Sequence, residues 1–513
     1  MDKFKILLIQ EFLQQVKSFK FSLMVVLTLI VTVFTAYVQV IDFKERYQNY
    51  QTEALKTTKE AKEACTFAEL QVPVIIPPNP LSIFSKGLDE KAGNKIVISM
   101  EDLPVLETVS QKKNPFMVIF MNFDLVSIVK IILSLMAVYL IADTISGERE
   151  EETLKMVFMN RITRLEFFLA KYVAALIVIT IPLLGIFLFS SVFISLQPLI
   201  QLTAMQWFRI FLIFLSALGF LSIFILIGLW ISMKSLSSSQ AMIYGLLFWI
   251  TVVFVYPNLS VYVVSRIVNT PSQEELKSKV NQVYNEFGDK LIADFDRNYP
   301  KGQYYFQNQL FTSSIEFINK DQWSITLPYK SGITSKFKLE FDAGQVKRMI
   351  PVLLEYQDRM MDIYEDYRNK LLKQKEIVNW VQIFTPGFLL DETSEDLANT
   401  SYNNRVMDIL QKAREYRTRY IDYIKLKNGF GSKYFTQIPP DLWTDDKNEY
   451  KKPEYDIYRN PDTYPRLNLS DIPKFPVMEE FRVSIGSVFI VLVNLALLFL
   501  VSHAFLSFSV IKN

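Results

Sequence analysis

The chain carries a single cysteine, Cys65, and a single histidine, His503. One thiol excludes any disulfide within the chain. One imidazole and one thiol are too few for a zinc site or for Cys/His nucleophilic catalysis. There is no G-x-x-x-x-G-K-[ST] string, so the sequence has no phosphate-binding loop of its own for ATP. A formal net charge of +2 over 513 residues makes no broad basic field, and a nucleic-acid partner gains no electrostatic support. No paired acids or His/Glu motif within the apolar stretches suggests an intramembrane hydrolase, and no repeat of fixed period is visible.

What the chain does have is hydrocarbon. Half of its residues are hydrophobic and its mean hydropathy is +0.18, above what a soluble protein of this size shows. Six stretches approach the ~20 apolar residues needed to cross a bilayer. They lie near residues 21–41, 123–142, 172–196, 207–233, 241–263 and 482–508. The first is too long for a signal-peptide core and has no small-residue cleavage site after it, so it reads as a retained span. The lysines and arginines near span ends, among them Lys3, Lys5, Lys17, Lys20, Arg149, Lys155, Arg161, Arg164, Lys171, Lys234 and Lys512, all fall on one side of a six-span weave. The positive-inside rule makes that side cytoplasmic. The expected address is the cytoplasmic (inner) membrane, multi-pass, with both termini inside.

The expected fold class is an all-α polytopic membrane protein: six transmembrane helices and two largely helical extracytoplasmic inserts with minor β. Residues 1–20 read as an amphipathic elbow helix in the interface, with Phe4, Leu8, Phe12 and Val16 at helical spacing. The first span covers 21–41, the first insert 42–122, the second span 123–142, a charged cytoplasmic segment 143–171 and spans three to five 172–263. The second insert covers 264–480, and the last span with its tail 481–513. Span one is expected to run on as helix into "IDFKERYQNYQTEALKTTKEAKEAC". Pro77, Pro78 and Pro80 forbid helix in "VPVIIPPNPLSIFSKG", while "KIVISM", "FMVIF" and "KSGITSKFKLEF" suggest short strands. In the second insert, Ser272 and Glu275 form a capping box, with more helix at 346–381 and 402–427. The Pro/Tyr/Asp-rich "FTQIPPDLWTDD…DIPKFP" returns irregularly to the membrane. Tyr304, Trp323, Trp380 and Trp443 suit either stacking on a sugar or lipid, or packing within the inserts. Lys130 is read as snorkelling to the outer headgroups, and Asn494 as a polar link between helices.

The segment "ISGEREEETLKMVFMNRITRLEFFLAKY", residues 145–172, holds about ten charged side chains between two spans. At the bilayer centre each would cost about 2.5–3.5 kcal/mol, so the segment lies in water or against a protein. Leu154, Met156, Val157, Phe158 and Met159 interleave with the charges, a pattern suited to docking on a soluble partner as well as to a solvated turn.

"IADTISGEREEETLKMVFMNRITRLEFFLAKYVAA" resembles the signature of type-2 ABC exporter permeases, D-x-I-S-G-E-[KR]-E-x-G-T-L-[KR]. Asp143, Ser146, Gly147, Glu148, Arg149, Glu150, Thr153, Leu154 and Lys155 match it; Glu152 stands where the family commonly has glycine. "IIPPNPLSIFSKGLDEKAGN", "NPFMVIFMNFDLVSIVKIILSL" and "FTPGFLLDETSEDLANTSYNN" resemble the subgroup with large extracytoplasmic inserts. The resemblance implies the permease half of a transporter, without catalytic, metal or cofactor residues, beside a second permease copy or relative in the lipid bilayer. A cytoplasmic P-loop ATPase subunit would bind and hydrolyse the ATP. It implies an ATPase-coupling interface at Gly147, Glu148, Arg149, Glu150, Glu151, Thr153, Leu154, Phe158, Arg161 and Arg164. The alternative is a membrane-anchored sensor or assembly scaffold with an extracytoplasmic binding domain; the short cytoplasmic loops leave little room for a signalling domain.

Overall fold

A computed structural model describes residues 2–63, 72–98, 103–104, 106–107, 123–159, 162–268, 271–298, 316–319, 322–324, 335–428 and 485–506. Cys65, the "FMVIF" segment, Arg161, Tyr304, Trp443, Lys512 and the chain from "FTQIPP" to "KFP" lie outside those residues.

The chain opens with helix α1 (Asp2–Val16) and turns at Ser18 into α2 (Phe19–Glu63). The 45 residues of α2 contain neither proline nor glycine, and at 1.5 Å per residue they run far beyond a bilayer's hydrocarbon. The second span, α3 (125–141), is interrupted by one π-helical stretch, Ile128–Leu133. Two short helices follow, α4 (Ser146–Glu150) and α5 (Thr153–Met159). Then come α6 (Arg164–Ser195), α7 (Ala204–Lys234) and α8 (Ser238–Ile267), the last with a second π-helical stretch, Thr251–Val255, just ahead of Pro257. Thr163 and Thr203 close α6 and α7 with complete capping boxes. Starting at Arg164, α6 begins two turns earlier than the span expected from residue 172.

Beyond α8 come α9 (Gln273–Asn298), α10 (Ser335–Gln382), α11 (Pro386–Leu397), α12 (Asp408–Asn428) and the last span, α13 (Ile485–Leu506). Among the described residues six helices are long and apolar enough to cross a membrane, so the chain is an integral, all-α membrane protein with little sheet. Strands β1 (Val72–Ile75), β2 (Lys95–Ile98) and β3 (Leu106–Glu107) form one antiparallel sheet with Val74 opposite Ile96; β4 (Glu316–Asn319) and β5 (Gln322–Ser324) form another. "KSGITSKFKLEF" is not a strand where it is described: from Ser335 it is the start of α10, as its Lys, Leu and Glu allow once a 48-residue helix continues beyond them. Nor does Pro80 exclude helix outright. It sits at the first position of a 3-10 turn, Pro80–Ile83, where its missing N–H costs nothing, and Asn79 caps the turn.

Helices α3, α6 and α7 form the centre of the bundle; 50–61% of their apolar windows is buried, against 17% for α8 and α13. A second apolar cluster lies in the later insert, where Val280, Val283 and Phe287 of α9 meet Leu353, Tyr356 and Met360 of α10, the three-and-four spacing of two packed helices. The first turn of α9 is capped as the sequence indicates, Glu275 N–H donating to Ser272 Oγ at 3.1 Å.

The two inserts meet each other at the end of the bundle away from the charged motif. Arg46 of α2 donates to Asp42 at 2.9 Å and to Asp89 at 2.5 Å; Lys86 lies 3.1 Å from Asp42, and Arg405 Nε lies 3.2 Å from Asp89. Asp42 and Asp89 are fully buried, so each cation answers a carboxylate that would otherwise be stranded. Helix α11 packs down between α7 and α13, and its Asp391 takes the Lys130 ammonium at 2.7 Å. Lys130 therefore answers a carboxylate of the later insert; it does not reach for headgroups. Asn494 links helices as its type suggests, donating to the Gly219 carbonyl at 2.9 Å.

Candidate functional site

The charged motif lies at the other end of the bundle, and its residues are paired mostly within the chain. Lys20, in the first turn of α2, binds Asp143 at 2.5 Å and lies over the Tyr139 ring. Ser232 Oγ of α7 accepts from the backbone N–H groups of Ile145 and Ser146 at 3.0 and 3.1 Å, fixing the entry to α4. Arg149 donates to the Met233 and Ser235 carbonyls, both at 2.8 Å, placing a cation on the free carbonyls that end α7. Glu150 accepts from the Ser238 N–H at 3.0 Å, placing an anion on the N-terminus of α8. Successive motif residues thus bind the end of one span and the start of the next.

Glu148 turns inward. Its Oε1 meets the ammonium of Lys171 at 2.7 Å, and the same ammonium meets Glu11 of α1 at 2.8 Å and the Thr144 carbonyl at 3.2 Å. Lys171 is 1% exposed. A buried ammonium between two carboxylates is tolerated because its donors are used; removing one member strands the others. The face of α1 toward the protein therefore carries Leu7, Glu11 and Gln15 along with Phe4, Phe12 and Val16, while Ile6, Ile9 and Leu13 face outward. The simple apolar stripe read from the sequence is a mixed one, because Glu11 has a partner waiting on α6.

After α4 the chain reverses at Glu152, which adopts a left-handed backbone with φ 58°. This is the position where the resembling signature has glycine, and the conformation explains that preference. Thr153 Oγ1 donates to the Glu148 carbonyl at 3.2 Å. Leu154 is buried in the core of its own chain, and the Phe158 ring packs against Phe167 at a tilt of 54° with centroids 5.3 Å apart. Gly147 is half-buried beside Ser238, and Arg164 opens α6. The outward ridge is made by Glu151, Glu152, Lys155, Met156 and Met159, the two methionines 66% and 81% exposed.

Of the ten expected interface residues, Glu148, Arg149, Glu150 and Leu154 are thus engaged inside the chain, Glu151 faces outward, and Arg161 is outside the described residues. Sequence reasoning missed Glu11, Ser232 and Lys171 as members of the site. The available signals were an acid, Glu11, on the apolar side of an amphipathic helix, and the Ala170–Lys171 pair that opens the third span.

The sequence family described as "ABC-2 family transporter protein" matches residues 6–319, well over half of the chain, and includes the whole motif end. A second, "Domain of unknown function (DUF3526)", matches residues 345–459. No curated protein matches the chain.

Proposed function

Because the chain belongs to the ABC-2 family of transporter proteins, we propose that it is an exporter permease whose charged motif receives the stroke of a separate cytoplasmic ATPase. The chain is a membrane-spanning permease component of an ABC transporter. The observation that carries the exporter reading is the joint at the motif end. Arg149 holds the end of α7, Glu150 the start of α8, and Glu148 reaches α1 and α6 through Lys171. A push on the exposed ridge at residues 151–159 would move four helices together, because each is fastened to the same two turns. ATP binds and is hydrolysed in the partner, and this chain supplies the moving path.

The cytoplasmic placement of that ridge rests on the lysines and arginines gathered at the same end. The large segments at 42–122 and 264–480 then lie outside. The poorly buried flanks of α8 and α13 leave apolar surface for lipid and for a second permease copy. In the ATPase contact, apolar groups matter more than rim charges, because exposed ion pairs contribute about 0–1 kcal/mol. Met156 and Met159 are the apolar groups available.

The test is co-purification of the neighbouring P-loop ATPase in detergent, together with ATP turnover in liposomes. Met156→Asp with Met159→Asp is expected to release the ATPase or uncouple its turnover, while Glu151→Gln leaves both near the parent level. Leu154→Asp is a poor probe, since it disrupts the chain's own core. Unchanged capture and turnover in a well-folded double variant would remove the ridge from the mechanism.

A further inference from the structure

At the end of the bundle away from the motif, a cleft of about 650 Å³ opens between segments distant in sequence. Its floor is Tyr47 of α2, stacked on Phe43 with centroids 6.0 Å apart. The turn at Pro77 and Pro78 lines it, as does Leu199, in the short connection between α6 and α7. The stretch leading into and along α12 contributes Arg405, Ile409 and Lys412. The volume falls in the range of small-molecule sites, about 300–1,000 Å³.

The position decides what kind of molecule fits. Leu199 belongs to a link between two spans, so the mouth of the cleft lies where the bilayer ends. Apolar side chains line that level together with the uncharged Gln201 and Gln206, and the charged groups, Arg405, Asp408 and Lys412, lie on the side of the later insert. Arg405 is committed to the buried Asp89. Lys412 is half-buried and makes no hydrogen bond or ion pair among the described residues. A partly buried ammonium without an ion pair is open to an anionic ligand, and a phosphate oxygen supplies a charge-assisted acceptor. Asp408, the one carboxylate among the described lining residues, disfavours a doubly charged phosphate and so favours a phosphodiester.

We propose that this cleft binds a phospholipid-type amphiphile, with its phosphodiester at Lys412 and part of an acyl chain against Tyr47, Pro78 and Leu199. The proposal gives the transporter reading a ligand class. Binding is measured without ATP or ATPase, so its failure is distinct from a failure of that reading.

The experiment uses the full chain, delipidated in detergent, and native mass spectrometry with three probes: dioleoylphosphatidylglycerol, dioleoylglycerol and glycerol 3-phosphate. The phospholipid is expected to be retained, the other two not. Lys412→Glu is expected to weaken retention about tenfold. Leu199→Trp, which fills the mouth from the exposed wall, does the same without touching a charge. Lys277→Glu, on the exposed surface of α9, leaves retention unchanged. Dioleoylglycerol held as firmly as the phospholipid would show an apolar slot without phosphate recognition. Full displacement of the lipid by glycerol 3-phosphate would show a free-anion site. Either result, or retention unchanged in both cleft variants, overturns the proposal.

Discussion

Replacing Gly87 with alanine is expected to part the two inserts while leaving the spans intact. Gly87 has φ 46°, and an added Cβ falls 2.6 Å from the Thr400 carbonyl oxygen and 2.7 Å from its hydroxyl. Thr400 is fully buried and cannot turn aside, because its hydroxyl donates to the Ser85 carbonyl at 3.0 Å and its carbonyl accepts from the Leu88 N–H at 2.9 Å. Left-handed backbone costs an L-residue about 1–2 kcal/mol. Backing the loop away breaks at least one of these bonds and strands a buried polar group, another ~1–3 kcal/mol. The junction as a whole loses roughly 2–5 kcal/mol of local stability on adding those two costs. That corresponds to an opening about one and a half to three and a half orders of magnitude more frequent. Hydrogen exchange of the Leu88 amide reads the opening directly. Gly185→Ala is the matched control: it lies within α6 with nothing within 4 Å of its added Cβ, and it gains about 0.5–1 kcal/mol of helix preference. Exchange at Leu88 within twofold of the parent in Gly87→Ala would refute the steric argument.

Lys171→Met strands Glu11 and Glu148 in the core and is expected to cost about 3–5 kcal/mol, while adding Glu11→Gln and Glu148→Gln recovers most of it; thermal unfolding in detergent across the cycle checks this. Glu152→Gly removes a left-handed side chain and is expected to leave stability unchanged or raise it by up to about 1 kcal/mol, whereas Glu152→Val lowers it, by the same assay. Glu395 of α11 is pushed up to about 8 by burial and then by neighbouring Asp391 and Asp124, with Lys375 opposing. The folded state keeps that proton above the carboxyl's ordinary value of 4.5, so stability falls as pH rises from about 4.5 to about 8. Glu395→Gln is expected to flatten that loss, and an unchanged slope of melting temperature against pH would refute the assignment.

The spans were legible because an apolar run of that length has few other uses, and the cap at Ser272 was legible because its partner is three residues away. The charge pairs were not. Lys171 and Glu11 are 160 residues apart, Lys130 and Asp391 are 261 apart, and no local periodicity records such a meeting. The same limit explains α10: "KSGITSKFKLEF" alternates well enough for a strand, and only the long helix beyond it decides the matter. The motif was recognised as a string while the function of each letter stayed hidden. Glu152 stood out as the letter that departs from the signature, and the backbone there is left-handed as glycine would allow.

The charge of the motif divides into two parts with different physical tasks. The inner part, Asp143 and Glu148 to Glu150, is short-range and intramolecular, and each charge meets a helix end or an opposite charge. The contact of Glu148 with buried Lys171 resists separation strongly, while that of Glu150 with the start of α8 is exposed and weaker. The outer part, Glu151 to Met159, is exposed and contributes little to the fold. A receiver of force needs this division: a ridge that a partner can grip without unfolding it, standing on a joint too costly to slip. A solvated turn would need neither the stranded-charge penalty at Lys171 nor two methionines on its surface. The joint therefore predicts where uncoupling and unfolding part company, with substitutions on the ridge changing transport alone and those at Lys171 or Arg149 changing both.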